Sequence, residues 1–240
     1  MNLAEEITAW IKQRVVAAHK KGIVVGLSGG IDSAVTAVLA KKALQDNVIG
    51  LVLPCGNDVQ DEELAIKVAA KFMITINKVD LYDVYTRLCE SLTGSTPVAK
   101  ANIKSRLRML TLYYFANTLD YLAAGTSNKS ELMIGHFTKH GDGGCDILSL
   151  GGLLKTEVRK LAQDLHIPQE IIKRPPSVGL WVGQTDENEI GISYNKLDSC
   201  LLALEKGQKP DDKNNNLAKI KLMVTNSEHK RSKIPNFKKN

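Results

Sequence analysis

The chain has 240 residues, 43% hydrophobic and 24% charged, which suits one large domain or a domain with a helical appendix. It holds no apolar run of the ~20 residues that span a bilayer, and its start lacks a basic segment followed by an apolar one, so a cytoplasmic protein with no membrane contact is expected. The net charge of +6 is uneven: residues 206–240 carry ten basic and three acidic side chains, a net of +7, which leaves −1 for the rest. Such a tail fits contact with a phosphorylated small molecule, or plain solvation; after Tyr194 its single aromatic is Phe237, so base stacking, and with it nucleic acid, is not expected.

In chain order, residues 3–20 predict an amphipathic helix, with Leu3, Ile7, Trp10, Ile11 and Val15 on one stripe. Strands and helices then alternate. Strands are expected at Ile23–Leu27, Val48–Pro54, Ile74–Val79 and Tyr121–Ala124, and helices at Asp32–Gln45, Glu62–Phe72, Tyr82–Leu92, residues 98–119 and Lys155–Leu165. Leu92–Pro97 is a break and Gly135–Gly144 a polar loop. Pro168 opens a short turn, residues 173–191 read as a mobile loop, and helices near 194–205 and 212–224 close the chain. This alternation predicts a doubly wound, Rossmann-like α/β fold with a parallel sheet flanked by helices and a C-terminal helical segment. The expected division is an N-terminal helix (1–21), an α/β core (22–170), a mobile loop (171–192) and C-terminal helices with a basic tail (193–240), all within one domain.

The stretch Gly26-Leu27-Ser28-Gly29-Gly30-Ile31-Asp32-Ser33 sits between the first strand and the next helix. Adjacent glycines admit an anion close to the backbone, and a helix start offers unpaired N–H groups and the positive end of its dipole. Ser28 and Ser33 add hydroxyl donors, and Asp32 can hold a cation or cap the helix. The loop lacks the Lys of the common P-loop and the spacing of the dinucleotide fingerprint. Backbone amides without that Lys suit a departing pyrophosphate. Ser-Gly-Gly-x-Asp-Ser in this context resembles the pyrophosphate loop of the ATP pyrophosphatases.

Further segments, in order, resemble the NAD synthetases. They are Asn102-Ile103-Lys104-Ser105-Arg106-Leu107-Arg108-Met109, Gly125-Thr126-Ser127-Asn128-Lys129-Ser130-Glu131, Thr138-Lys139-His140-Gly141-Asp142-Gly143-Gly144, Leu154-Lys155-Thr156-Glu157-Val158-Arg159, Gly183-Gln184-Thr185-Asp186-Glu187 and Glu228-His229-Lys230-Arg231. The resemblance covers about residues 23 to 231. It implies an ammonia-dependent ligase that adenylates deamido-NAD (nicotinic acid adenine dinucleotide) with ATP, releases pyrophosphate, and then replaces AMP with ammonia. Mg2+ as cofactor and a homodimer are implied as well. The length leaves no room for a sizeable glutamine-hydrolysing domain, so free ammonia is the expected nitrogen source unless a separate amidotransferase supplies it.

On this resemblance Gly26 to Ser33, Thr126, Lys155 and Ser177 contact ATP, and Asp32 and Glu131 hold Mg2+. Arg106, Lys139, Asp146, His229 and Lys230 contact deamido-NAD. Asp142, Lys155 and Asp32 are the catalytic set. Between two glycines, Asp142 can be a further metal ligand or can bind ammonium and take its proton, and the second role is the one assigned to it on chemical grounds. Plainer readings stand beside these: Asn128-x-x-Glu131 as a helix-capping box, Asp142 as a turn residue, Thr126 as a strand-end residue, and Arg106 and Lys155 as solvated surface cations. His136 and His140 read as packing or surface groups. Cys55, Cys89, Cys145 and Cys200 lack C-x-x-C spacing and read as free thiols, with a reactive role for Cys145 the lesser reading. Competing functions are a tRNA-modifying ligase or thiolase of the same superfamily, and a nucleotide-binding regulator without catalysis.

Overall fold

The sheet begins where the sequence is most β-branched. Ile23, Val24 and Val25 form the middle of β1 (Gly22–Gly26). The computed structural model describes residues 1–56, 59–94, 96–177, 179, 183, 185–208 and 216–238. The other strands are β2 (Val48–Val52), β3 (Thr75–Lys78), β4 (Tyr121–Gly125) and a two-residue β5 (Ile147–Leu148). All pairings are parallel, in the order β3-β2-β1-β4-β5.

The helices between them are α1 (Leu3–Ala17), α2 (Ile31–Leu44), α3 (Val59–Lys71), α4 (Tyr82–Ser91), α5 (Pro97–Leu119), α6 (Lys129–Ile134) and α7 (Lys155–Asp164). The chain continues with α8 (Gln169–Lys173), α9 (Asp186–Ile190), α10 (Tyr194–Glu205), α11 (Asn216–Asn226) and α12 (Glu228–Arg231). Local chemistry sets several starts. Asn2 and Glu5 form a reciprocal capping box on α1, and Thr96 caps α5 with Pro97 in its first turn.

Strand periodicity divides the core. Ile23, Val25, Leu122 and Ala124 join the cluster formed with α1, α2 and α7, while Val24, Leu51 and Ala123 face α5. With both faces covered, the central strands are apolar throughout, as parallel strands require. A third cluster, around Ile134, Leu154, Ile190, Tyr194, Leu197 and Ile220, packs α6, α9, α10 and α11 together. At the opposite end from the strand carboxyl termini, four helix-to-strand turns pass through the non-glycine residues His19, Gln45, Met73 and Asp120, with φ between +52° and +60°.

The expected α/β fold and its first four strands are present, with ends shifted by a few residues. Five elements were not expected. β5, α6, α8 and α12 are too short to show a periodic pattern, and the segment read as a loop at 173–191 contains α9. Within that segment residues 178, 180–182 and 184 lie outside the described residues, as do residues 212–215 of the last expected helix. No helix among the described residues is long and apolar enough to cross a membrane.

The strand order reverses between β1 and β4, so the loops that follow these two strands part and leave a crevice at the carboxyl edge of the sheet. A cleft of about 440 Å³ opens there.

Candidate active site

The turn after β1 forms one wall of the cleft. Ser28 donates both its backbone N–H (3.2 Å) and its hydroxyl (3.1 Å) to Ser33 Oγ, and Ser33 donates onward to the Gly30 carbonyl at 2.9 Å. The Gly30 N–H reaches Ser28 Oγ at 3.3 Å. These bonds brace the loop from within. Gly29 has φ +77°, and a Cβ there would lie 2.4 Å from the Asp61 carbonyl oxygen, so only glycine fits. The N-cap of α2 is Gly30, with no side-chain cap, which leaves the first-turn amides of a 14-residue helix directed at the cleft. Leu27 contributes backbone, since its side chain packs on Gly50 in the core.

A charge cluster lies at the cleft floor. Lys155, the first residue of α7, is 2% exposed and bonds Asp32 Oδ2 and, at 3.1 Å, Glu131 Oε1. Asn128 Nδ2 donates to Asp32 Oδ1 at 3.0 Å. The Asn128 and Glu131 capping box forms through Glu131 Oε2, at 3.2 Å from Asn128 N, which leaves Oε1 for the lysine. Burial pushes the Glu131 carboxyl up to about 7, against the pull of the Lys155 ammonium. Burial works against the Lys155 charge, but the Asp32 and Glu131 carboxylates outweigh it and hold its proton more firmly than usual.

Further buried groups around this cluster come from the C-terminal helices. The Tyr194 hydroxyl donates to Asp186 Oδ2 at 2.9 Å, and its ring centroid lies 5.1 Å from Lys155 Nζ. Asp198 accepts from Thr156 N at 2.8 Å and from Ser130 Oγ at 2.5 Å, while Ser130 Oγ accepts from Lys155 N at 3.0 Å. One buried carboxylate on α10 thereby anchors the starts of α6 and α7, and so the residues that carry Glu131 and Lys155.

His136 Nε2 stands 3.4 Å from Asp186 Oδ1, yet neither atom has a well-directed hydrogen bond among the described residues, so the attraction is mainly between charges. Burial opposes the His136 cation and Asp186 more than offsets it, so the imidazole pKa is raised. Burial likewise opposes the Asp186 carboxylate, but His136 and then Lys155 keep its pKa low. The pair thus contributes stability while both groups are ionised. The Asp186 part is lost as pH falls through its lowered pKa, and the His136 part as pH rises through its raised pKa, above about 6.5. His136→Asn is expected to lower the melting temperature more at pH 6 than at pH 9. Equal losses at both pH values would show that the imidazole charge does not act.

The polar loop before β5 forms the other wall. Asp142 Oδ1 accepts from Ser105 Oγ (2.7 Å) and Thr138 N (2.9 Å), and Ser105 Oγ in turn accepts from Asp142 N at 2.9 Å. A Cβ on Gly141 would meet Ser105 Oγ at 2.4 Å, so this tie to α5 needs the glycine. Asp142 Oδ2 takes no hydrogen bond from a described residue, and Asp142 lines the cleft. Lys230 closes this side. Its Nζ donates to the Gly135 and Phe137 carbonyls at 2.7 and 2.9 Å.

The cleft therefore unites residues 26–28 and 30–33 with Thr126, Glu131, Asp142, Lys155, Ser177 and Lys230. Three expected substrate contacts stand outside its lining as a linked set: Arg106 Nη2 donates to the Lys139 carbonyl at 3.3 Å, and Lys139 Nζ to the His229 carbonyl at 2.6 Å. Asp146 is engaged elsewhere. It accepts from Tyr113 Oη at 3.0 Å and from Ala123 N at 2.8 Å, and so ties β4 to α5. Cys145 packs against Gly125, and burial pushes its thiol up to about 11, which suits packing and not nucleophilic chemistry. Sequence reasoning gave no role to Asp186, Tyr194, Asp198 or Arg108, the last a partly buried guanidinium whose Nε reaches the Leu53 carbonyl at 3.2 Å. Asp186 and Arg108 lay inside the matched segments; Asp198 carries no local signal at all.

The NAD synthase family profile matches residues 3–234. The chain belongs to that family. The NH(3)-dependent NAD(+) synthetase of Carboxydothermus hydrogenoformans is 44% identical over 96% of the chain and 94% of its own length. Among solved structures, the NMN synthetase of Francisella tularensis has a TM-score of 0.89 and 35% identity, with 98% of each chain covered. The NH3-dependent NAD synthetase of Campylobacter jejuni has a TM-score of 0.84 and 29% identity, with both chains covered in full. Membership in the NAD synthase family makes this cleft the place to seek a ligase reaction that consumes ATP.

Proposed function

We propose that the protein amidates deamido-NAD with ammonia, and that ATP is cleaved to AMP and pyrophosphate. The observation that carries this is a pyrophosphate loop facing, across one cleft, a Lys155-bridged pair of carboxylates and a separate carboxylate, Asp142.

In the first step the nicotinate carboxylate oxygen bonds to the α-phosphorus and the bond to the β-phosphate bridging oxygen breaks. The leaving pyrophosphate is received by the amides and hydroxyls of the Ser28 to Ser33 turn. Lys155 at the cleft floor places a fixed positive charge beside the α-phosphate. In the second step ammonia adds to the acyl carbon and the AMP oxygen leaves. Asp142 Oδ2 binds ammonium and takes its proton, while Ser105 and Thr138 hold the other oxygen.

Asp32 and Glu131 would hold Mg2+. Their carboxylates converge on the one cation of the floor, Lys155 Nζ, and an ion with one or two carboxylate ligands plus phosphate oxygens is the usual magnesium arrangement. The ion would supply charge neutralisation between the two anionic reactants. No group of three or more His, Cys, Asp or Glu suited to a metal occurs among the described residues, so phosphates and water complete the set.

A homodimer across α5 fits the exposed side of that helix. Arg106, Leu110 and Tyr114 recur every fourth residue, the last two 63% and 66% exposed, and the neighbouring α4 has no buried residue. The Arg106, Lys139 and His229 set borders this face, so a second copy would bring substrate contacts to the cleft mouth. Leu110→Asp is expected to give a monomer with weakened dinucleotide binding, measured by light scattering and by the KM for the acid dinucleotide. An unchanged assembly state would place the interface elsewhere. A cytoplasmic location agrees with these small-molecule substrates.

The test is formation of AMP, pyrophosphate and NAD from deamido-NAD, ATP, Mg2+ and ammonium. The Francisella tularensis neighbour is named for NMN, so nicotinic acid mononucleotide is the competing acid to include. Failure to amidate deamido-NAD in the complete mixture would overturn the proposal.

A further inference from the structure

The pyrophosphate loop lacks a lysine of its own, so the highly charged leaving group needs a cation from elsewhere. The cleft cations have different engagements. Lys155 is held by two carboxylates, Lys230 by two carbonyls, and Arg108 reaches a carbonyl. Arg174, the C-cap of α8, instead pairs with Asp61 in the first turn of α3, at 2.6 Å. Both line the cleft, and both side chains are partly accessible, 28% and 16% exposed. Asp61 also supplies the backbone carbonyl that packs on Gly29. One residue therefore touches the pyrophosphate loop with its backbone and the guanidinium with its side chain.

We infer that Arg174 is a pyrophosphate-binding residue held in reserve by Asp61, exchanging that carboxylate for β- and γ-phosphate oxygens when ATP is seated. This rests on the amidation reading given above. Guanidinium binds phosphate oxygens through two parallel N–H bonds, a geometry that a single ammonium cannot match. In the absence of phosphate, Asp61 keeps the guanidinium beside the loop and satisfied. When pyrophosphate departs, the same carboxylate competes for Arg174 and promotes release. The exchange breaks no covalent bond and consumes no reagent.

The experiment is calorimetric titration of the full chain with inorganic pyrophosphate and Mg2+, with AMP as a second ligand. Arg174→Gln is expected to bind pyrophosphate about tenfold or more weakly, with AMP affinity unchanged. Asp61→Asn removes the competitor and is expected to bind pyrophosphate more tightly than the parent. Melting temperatures close to the parent's would accompany both, since a partly exposed pair adds only about 0–1 kcal/mol. Parental pyrophosphate affinity in Arg174→Gln would overturn the inference. So would equal weakening in both variants, which would make the pair a brace. If the parent chain forms NAD yet Arg174→Gln is unaltered, only this inference falls. If the parent forms NAD yet binds no pyrophosphate, this inference falls alone; if it neither binds pyrophosphate nor forms NAD, the amidation reading falls with it.

Discussion

Lys155→Met is expected to lose about 3–5 kcal/mol of folding stability and roughly 10²–10³-fold in AMP formation. Methionine matches the apolar stem of lysine out to Cε and lacks only the ammonium, so packing changes little. What it removes is the charge between Asp32 and Glu131, two carboxylates that share a nearly closed space with Tyr194. A buried pair stripped of one partner leaves the other uncompensated, which costs more than the pair ever contributed. Added Mg2+ should recover part of the stability, because it restores positive charge at the same two carboxylates, but not the rate. Denaturant titration with and without Mg2+, beside a pyrophosphate-release assay, separates the two effects. A variant as stable as the parent would show that the floor of the cleft does not depend on the ammonium.

Asp142→Asn is expected to leave the first half-reaction nearly intact and to slow NAD formation roughly 10²–10⁴-fold. Asparagine can still accept from Ser105 and Thr138, so the loop should keep its shape. It cannot take a proton from ammonium. A rapid-mixing experiment should therefore show a pyrophosphate burst followed by slow amide formation. Raising the pH supplies nitrogen already deprotonated, and the gap to the parent should narrow. Loss of the burst together with the amide would assign Asp142 to substrate binding; parental turnover would remove it from the mechanism.

Much of this architecture was legible in the sequence, because its determinants are local. The β-branched run at Ile23 to Val25, the Gly29-Gly30 pair, the Asn128 and Glu131 box and the proline break before α5 each act over a few residues. Strand and helix alternation pointed to a parallel sheet, but not to its strand order, which the structure supplies. What escaped depends on contacts distant in sequence. Asp198 touches Ser130 and Thr156 across 68 and 42 positions, and no periodicity reveals that. His136 reads from sequence as a packing or surface group; the structure buries most of it and adds a partner no local pattern reveals, Asp186, inside the cleft. β5 has only two residues, too few for a pattern. Asp146, a substrate contact by the family resemblance, is exposed and accepts from Tyr113 and the β4 backbone in this structure.

The left-handed turns through His19, Gln45 and Met73 bear on how this protein could be made tougher. An L-residue in that conformation costs roughly 1–2 kcal/mol, against roughly 0.5–1 kcal/mol of extra chain entropy lost by glycine. The balance favours glycine at each of the three. They lie at the foot of the sheet, the full length of the strands away from the chemistry. Thermal endurance can therefore be raised at one pole of the molecule while the catalytic pole keeps its native sequence, so the usual conflict between rigidity and turnover need not arise here.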